Sequence, residues 1–178
     1  MSYSMNRLDS EHVGLDLPEN PGGRAQITID LTAVDREGRP CLMVEVKTRR
    51  GIPEDLEQLR FYHKTAREAN RVFPFAMLVD MERIQIFKWD GSDLMGPIQT
   101  LDTKLALGEY SDYYTKPMVI WSYLVTLVEV WLRDLGYHWK FPKPPFSDEI
   151  AEIGLLSQLE GADTFMEIEV ENRGNFVY

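Results

Sequence analysis

The chain has one cysteine, Cys41, among 178 residues. That excludes a disulfide within the chain and predicts a reducing, cytoplasmic setting. Positive charge is also scarce: 19 Lys and Arg face 29 Asp and Glu, for a formal net charge of −10. Such a balance argues against bulk, charge-driven coating of nucleic acid but leaves room for a local basic groove. Long apolar runs are missing as well. The longest, residues 118–132, contains Glu129 and falls short of the ~20 residues of a membrane span. The first fifteen residues lack the apolar centre of a cleavable signal. No glycine-rich phosphate loop, Ser-His-Asp pattern, zinc-ligand spacing or internal repeat is present.

What is there is ample core material, 44% hydrophobic residues, in a length that suits one domain. Residues 1–23 read as weakly structured, with at most a short helix over residues 4–13, because Gly14, Pro18, Pro21, Gly22 and Gly23 interrupt regular structure. From residue 25 the pattern sharpens. Ile27, Ile29 and Leu31 alternate with Gln26, Thr28, Asp30 and Thr32, the period of a half-buried strand. A turn over residues 35–39, with Gly38 free to take positive φ, leads to a second strand over residues 41–48. There Leu42, Val44 and Val46 share one face, and Met43, Glu45 and Lys47 the other. The short polar connection implies an antiparallel hairpin. Pro53, Glu54 and Asp55 open a helix carrying Leu56, Leu59, Tyr62, Ala66 and Ala69 at helical spacing. Residues 74–79 form a wholly apolar run typical of a buried strand, and residues 83–89 a further strand. Residues 92–114 read as loop with partial structure. Residues 115–135 read as a long helix, apolar over most of its circumference except a stripe of Ser122, Thr126, Glu129 and Arg133. The segment 141–146 reads as a rigid linker, Ser147 as the N-cap of a helix over residues 148–160 ended by Gly161, and residues 165–170 as a last strand.

The chemistry-bearing residues gather on the polar faces of the first two strands. Glu45 and Lys47 point the same way, and Asp30 lies across the hairpin beside Glu45. Two carboxylates so placed are hard oxygen ligands for Mg²⁺ or Mn²⁺, and the Val46 carbonyl can add another. A metal there lowers the pKa of a bound water and clamps phosphodiester oxygens. Lys47 can orient that water or neutralise transition-state charge.

Asp30, the hairpin, Glu45-Val46-Lys47 and the following helix resemble the PD-(D/E)xK nuclease superfamily. The run from Gly23 to Arg49 is similar to the N-terminal nuclease region of type I restriction motor subunits. Gln58-Leu59-Arg60-Phe61-Tyr62 resembles the QxxxY element of RecB-type nucleases, with Gln58 and Tyr62 on one helix face. The resemblance covers residues 24–89. It implies a restriction-endonuclease-like α/β core over residues 24–90, a mixed sheet flanked by helices, with a C-terminal helical and β extension over residues 91–178. It further implies Asp30, Glu45 and Lys47 as catalytic residues, Asp30, Glu45 and Val46 as metal ligands, and Gln58, Arg60 and Tyr62 as substrate-binding residues. A role in restriction, repair or defence follows from the resemblance alone. The chain departs from the pattern in having Ile29 before Asp30 and little room for a leading helix with a further acid; Glu11 and Glu19 are the only nearby glutamates. Charge supports a nucleic-acid partner, DNA in the first place: residues 35–71 hold nine basic against seven acidic residues, whereas residues 144–178 hold eight acids and Arg173.

Each feature also has a plainer reading. Asp30, Glu45 and Lys47 can form a solvated strand face with one ion pair, and Gln58 and Tyr62 an exposed amide and a ring packed on the sheet. Arg49, Arg50, Arg60, Lys64 and Arg67 can be a solvated helix face. Glu129 reads as the exposed partner of Arg133. His12, His63 and His138 share no ligand spacing, and Cys41 has no catalytic partner. The expectation is therefore a metal-dependent nuclease. The alternative is a non-catalytic, protein-binding module of the same fold. The apolar helix over residues 115–135 would then insert between layers or form a homodimer or partner contact.

Overall fold

The computed structural model describes residues 26–111 and 121–171. The expected short helix over residues 4–13, Glu11, Glu19, His12 and the start of the expected 115–135 helix lie outside the described residues. Six strands form one mixed sheet in the order β5-β4-β3-β2-β1-β6. β1 (Gln26–Val34) and β2 (Pro40–Val46) are the expected antiparallel hairpin, with Leu31 across from Val44. Gly38 takes φ 79° in its turn, and the Asp35 carboxylate accepts from the Glu37 and Arg39 N–H groups. α1 (Pro53–Glu68) crosses over to β3 (Phe75–Val79), which pairs parallel to β2; β4 (Arg83–Trp89) then pairs antiparallel to β3.

Helices cover both faces of the sheet. On one face, Leu59 and Ala66 of α1 pack with Ile27, Ile29, Met43, Ala76, Leu78 and Phe87. On the other, α2 (Thr103–Leu107), α3 (Trp121–Tyr137), α4 (Ser147–Glu152) and α5 (Leu156–Leu159) pack on Leu31, Ala33, Leu42, Val44, Val46, Met77 and Ile86. The apolar circumference of α3 is accounted for inside the chain. Leu124, Val125, Leu127, Val128, Trp131, Leu132 and Leu135 are buried in this layer, and Ser122, Thr126 and Arg133 stay exposed. No helix among the described residues is long and apolar enough to cross a membrane.

Several expectations need correction. Residues 92–114 are not mainly loop: Leu94–Asp102 forms β5, an edge strand on β4. Only Leu94 and Leu101 are buried along it, so its sequence carries no alternation to read. The segment 141–146 is packed rather than a free linker; Pro144 is buried, and the Trp131 indole donates to the Pro145 carbonyl at 3.0 Å. Phe146, at φ 63°, occupies the N-cap of α4, while the Ser147 hydroxyl donates back to the Pro144 carbonyl at 2.6 Å. The single helix expected over residues 148–160 is two short ones, because Gly154 takes φ 82° between them. Glu129 does not pair with Arg133; it accepts from the Thr164 hydroxyl at 2.8 Å. The part expected as an appended extension supplies both edge strands, β5 and β6 (Asp163–Glu171), and most of one helical layer.

The largest departure is in β1. Ile27, Ile29, Leu31 and Ala33 have strand spacing for one face, yet Ile27 and Ile29 pack under α1 whereas Leu31 and Ala33 pack under α3. The change of face falls at Asp30. There the β1–β2 ladder has ended, and the β1–β6 ladder pairs Ile29 with Ile168 and Leu31 with Met166 but skips the level between. Glu167, across from Asp30 at that level, has φ 53°.

Candidate active site

Asp30 owes its position to this break. The Val46 N–H has no main-chain acceptor on β1 at this level, and the Asp30 carboxylate takes that place, Oδ2 accepting at 2.7 Å. Glu45, the next residue of β2 toward the hairpin, points to the α1 side, as does Lys47 just beyond the strand end. The Lys47 ammonium donates to Glu45 Oε1 at 2.7 Å and to Gln58 Oε1 at 2.8 Å. Gln58 in turn donates from Nε2 to the Tyr62 hydroxyl at 2.7 Å. Gln58 and Tyr62, one helical turn apart on α1, thus extend a continuous chain of bonds from Glu45. Asp30, Glu45, Val46, Lys47, Arg49 and Trp121 line one cleft of about 390 Å³.

The electrostatics follow from burial. Glu45 is 4% exposed, and desolvation together with the charge of Asp30 pushes its carboxyl up to about 7, against the pull of Lys47. Its Oε2 is buried and has no hydrogen-bond partner. Burial also raises Asp30, opposed by the Val46 N–H, the Lys47 charge and a side-chain bond from Trp121; Glu167 adds a smaller raising influence. Desolvation raises the Tyr62 hydroxyl in the same way.

The loop after β2 is held from three sides. Lys47 N–H donates to the Val79 carbonyl at 2.8 Å. Arg49 makes a two-pronged contact with Asp55, at 2.8 and 2.7 Å, and Asp55 also accepts from the Ile52 N–H. Burial works against the Asp55 charge, yet the Arg49 guanidinium and the Ile52 N–H hold its carboxyl below the usual range. Asp80 Oδ2 accepts from the Gly51 N–H at 2.8 Å, while its Oδ1 accepts from Glu82 and Arg83 N–H groups.

The structure therefore brings together Asp30, Glu45, Val46, Lys47, Gln58 and Tyr62. It does not bring Arg60 to them. Arg60 points to another cleft and pairs with Asp93 at 3.7 Å. Arg50 is turned toward Glu82 at 3.4 Å. Sequence reasoning missed Trp121 and the supports Asp55 and Asp80. Trp121 stands 91 positions after Asp30 and carried only the signature of an apolar helix. His63 is buried, with its ring nitrogen 2.9 Å from the Phe73 carbonyl. Cys41 is wholly buried, its thiol pushed up to about 12 by burial, which suits no nucleophile.

Two carboxylates and the hard-oxygen character of the donors fit Mg²⁺ or Mn²⁺, and the unpartnered Glu45 Oε2 is an oxygen with capacity to spare. Among the described residues, no group of three or more His, Cys, Asp and Glu side chains converges as a metal cage. Comparison with protein-family models, with curated proteins and with solved structures yields no match.

Proposed function

We propose that the protein hydrolyses phosphodiester bonds of nucleic acid with a divalent metal, on a restriction-endonuclease-like core. The observation that carries this reading is a buried Glu45 whose Oε2 lacks any partner, in one cleft with Asp30 and Lys47. An acid buried with an idle oxygen is costly unless something compensates it. Asp30, Glu45 and the Val46 carbonyl are the residues that would hold Mg²⁺ or Mn²⁺. Bound there, the ion supplies a water of lowered pKa and neutralises phosphate charge. Lys47, fixed by Glu45 and Gln58, holds a positive charge where an anionic transition state gains from it. Tyr62 accepts its bond from Gln58, so its own proton is free to be donated toward an anionic oxygen.

Calorimetric titration with Mn²⁺ tests the reading: wild type is expected to bind and Asp30→Ala to lose binding. Cleavage of single- and double-stranded DNA and RNA should require Mg²⁺ or Mn²⁺ and vanish in Glu45→Gln. Lys47→Ala should keep metal binding but slow turnover by roughly 10²–10³-fold. The second reading, a protein-binding module of the same fold, is favoured by the Lys47–Glu45 ion pair, which satisfies one carboxylate oxygen internally. Absence of both metal binding and cleavage in the wild type would select it.

A further inference from the structure

A second cleft, of about 230 Å³, lies on the side of α1 away from Gln58 and Tyr62. Arg60, Lys64 and Arg67 line it at spacings of four and three, so the three cations form one stripe. Phe61, 41% exposed, and the half-buried Trp89 add aromatic surface. Among the described residues that line it, Asp93 is the only acid. On a chain of charge −10, this concentration of cations runs against the average.

The cations are also weakly committed. Arg60 meets Asp93 at 3.7 Å and Lys64 meets Glu68 at 4.0 Å, with all four side chains at least 41% exposed. Exposed pairs of this kind exchange readily for a better anion. Among the described residues Arg67 makes no ion pair; its guanidinium lies 4.6 Å from the centre of the Trp89 ring. Cations beside an exposed aromatic ring, here that of Phe61, are the two components of a single-strand platform, phosphates on the charges and an unstacked base on the ring. A base paired in a duplex has no free face to offer, so the aromatic component selects an unpaired strand.

We propose that this cleft is an accessory site for single-stranded nucleic acid, holding a stretch that flanks the Asp30–Glu45 site. The inference extends the nuclease reading to a second surface, and its test does not depend on metal or cleavage.

The experiment is fluorescence anisotropy of a labelled oligothymidylate with the full chain in excess chelator, over a range of salt. The double variant Arg60→Ala/Lys64→Ala should bind about tenfold more weakly, with the slope of log affinity against log salt reduced by about 1.4. Phe61→Ala should lose about fivefold with the slope unchanged, because stacking releases no counterions. Wild-type affinity in both the double variant and Phe61→Ala would overturn the proposal, as would failure of the wild type to bind. Displacement of the strand by polyglutamate as readily as by unlabelled oligothymidylate would also overturn it, assigning the surface to acidic peptides. The substituted side chains are exposed, so folding is preserved, and Mn²⁺ titration of each variant reports separately on the first site.

Discussion

At the scale of single residues, the protonation of Glu45 is the most exposed to test. Its carboxyl is raised from an ordinary value of 4.5 to about 7 by burial and by Asp30. A carboxyl raised on folding binds its proton more tightly in the native state. Its contribution to stability is therefore complete below about pH 4.5 and is lost as pH rises through about 7. In metal-free buffer, this residue should cost the native state about 3 kcal/mol between those limits. Urea unfolding of Glu45→Gln should show that dependence removed, with the variant gaining on the wild type as pH rises. Gly51 offers a purely steric counterpart. A Cβ there would meet Asp80 Oδ2 at 2.8 Å, and Asp80 cannot retreat without losing the Glu82 and Arg83 N–H bonds. Gly51→Ala should therefore destabilise by about 1–3 kcal/mol in the same assay.

Elements differ in how much of their fate a local pattern contains. The hairpin, α1, β3 and β4 were legible from their periods and turn signals, and the grouping of Glu45, Lys47, Gln58 and Tyr62 follows from β2, α1 and their spacing, whereas Asp30 reaches them through the break in β1. β5 was not, since Gly96 and Pro97 interrupt a strand whose outer edge is solvated. The change of face in β1 was hidden by its own regularity: Ile27, Ile29, Leu31 and Ala33 keep period two while the backbone turns at Asp30. Nothing local announces that break, because its cause is β6, more than 130 residues away. The end of α3 shows a similar long reach. Asp134 is fully buried, with its carboxylate accepting from the Tyr110 hydroxyl at 2.6 Å and from the Lys140 N–H at 2.8 Å. The charge is thus spent on joining α3 to the chain on either side. Asp134→Ala should leave those donors buried and unmet, lowering the unfolding free energy by about 3 kcal/mol. Thermal unfolding followed by circular dichroism checks this.

For the whole molecule, the decisive fact is that the sheet has no self-sufficient half. Residues 24–90 would leave β1 and β4 as open edges and strip the α3 layer from Leu31, Val44, Met77 and Ile86. The fragment 24–90 should therefore show no cooperative urea transition, whereas the full chain should unfold in one step. A stable folded fragment of that length would contradict the architecture. The β1–β6 pairing also has a meaning in time. Gln26 lies across from Glu171, so β1 waits until β6 has been synthesised before one side of its ladder can close. Until then Ile27 and Ile29 lack the Ile168 and Val170 that flank them in the finished sheet. Asp30 reaches its final backbone setting only when Glu167 arrives opposite it. The catalytic cleft we propose would then be assembled only after β6 has emerged, and the slow closure of so distant a pair would set its pace.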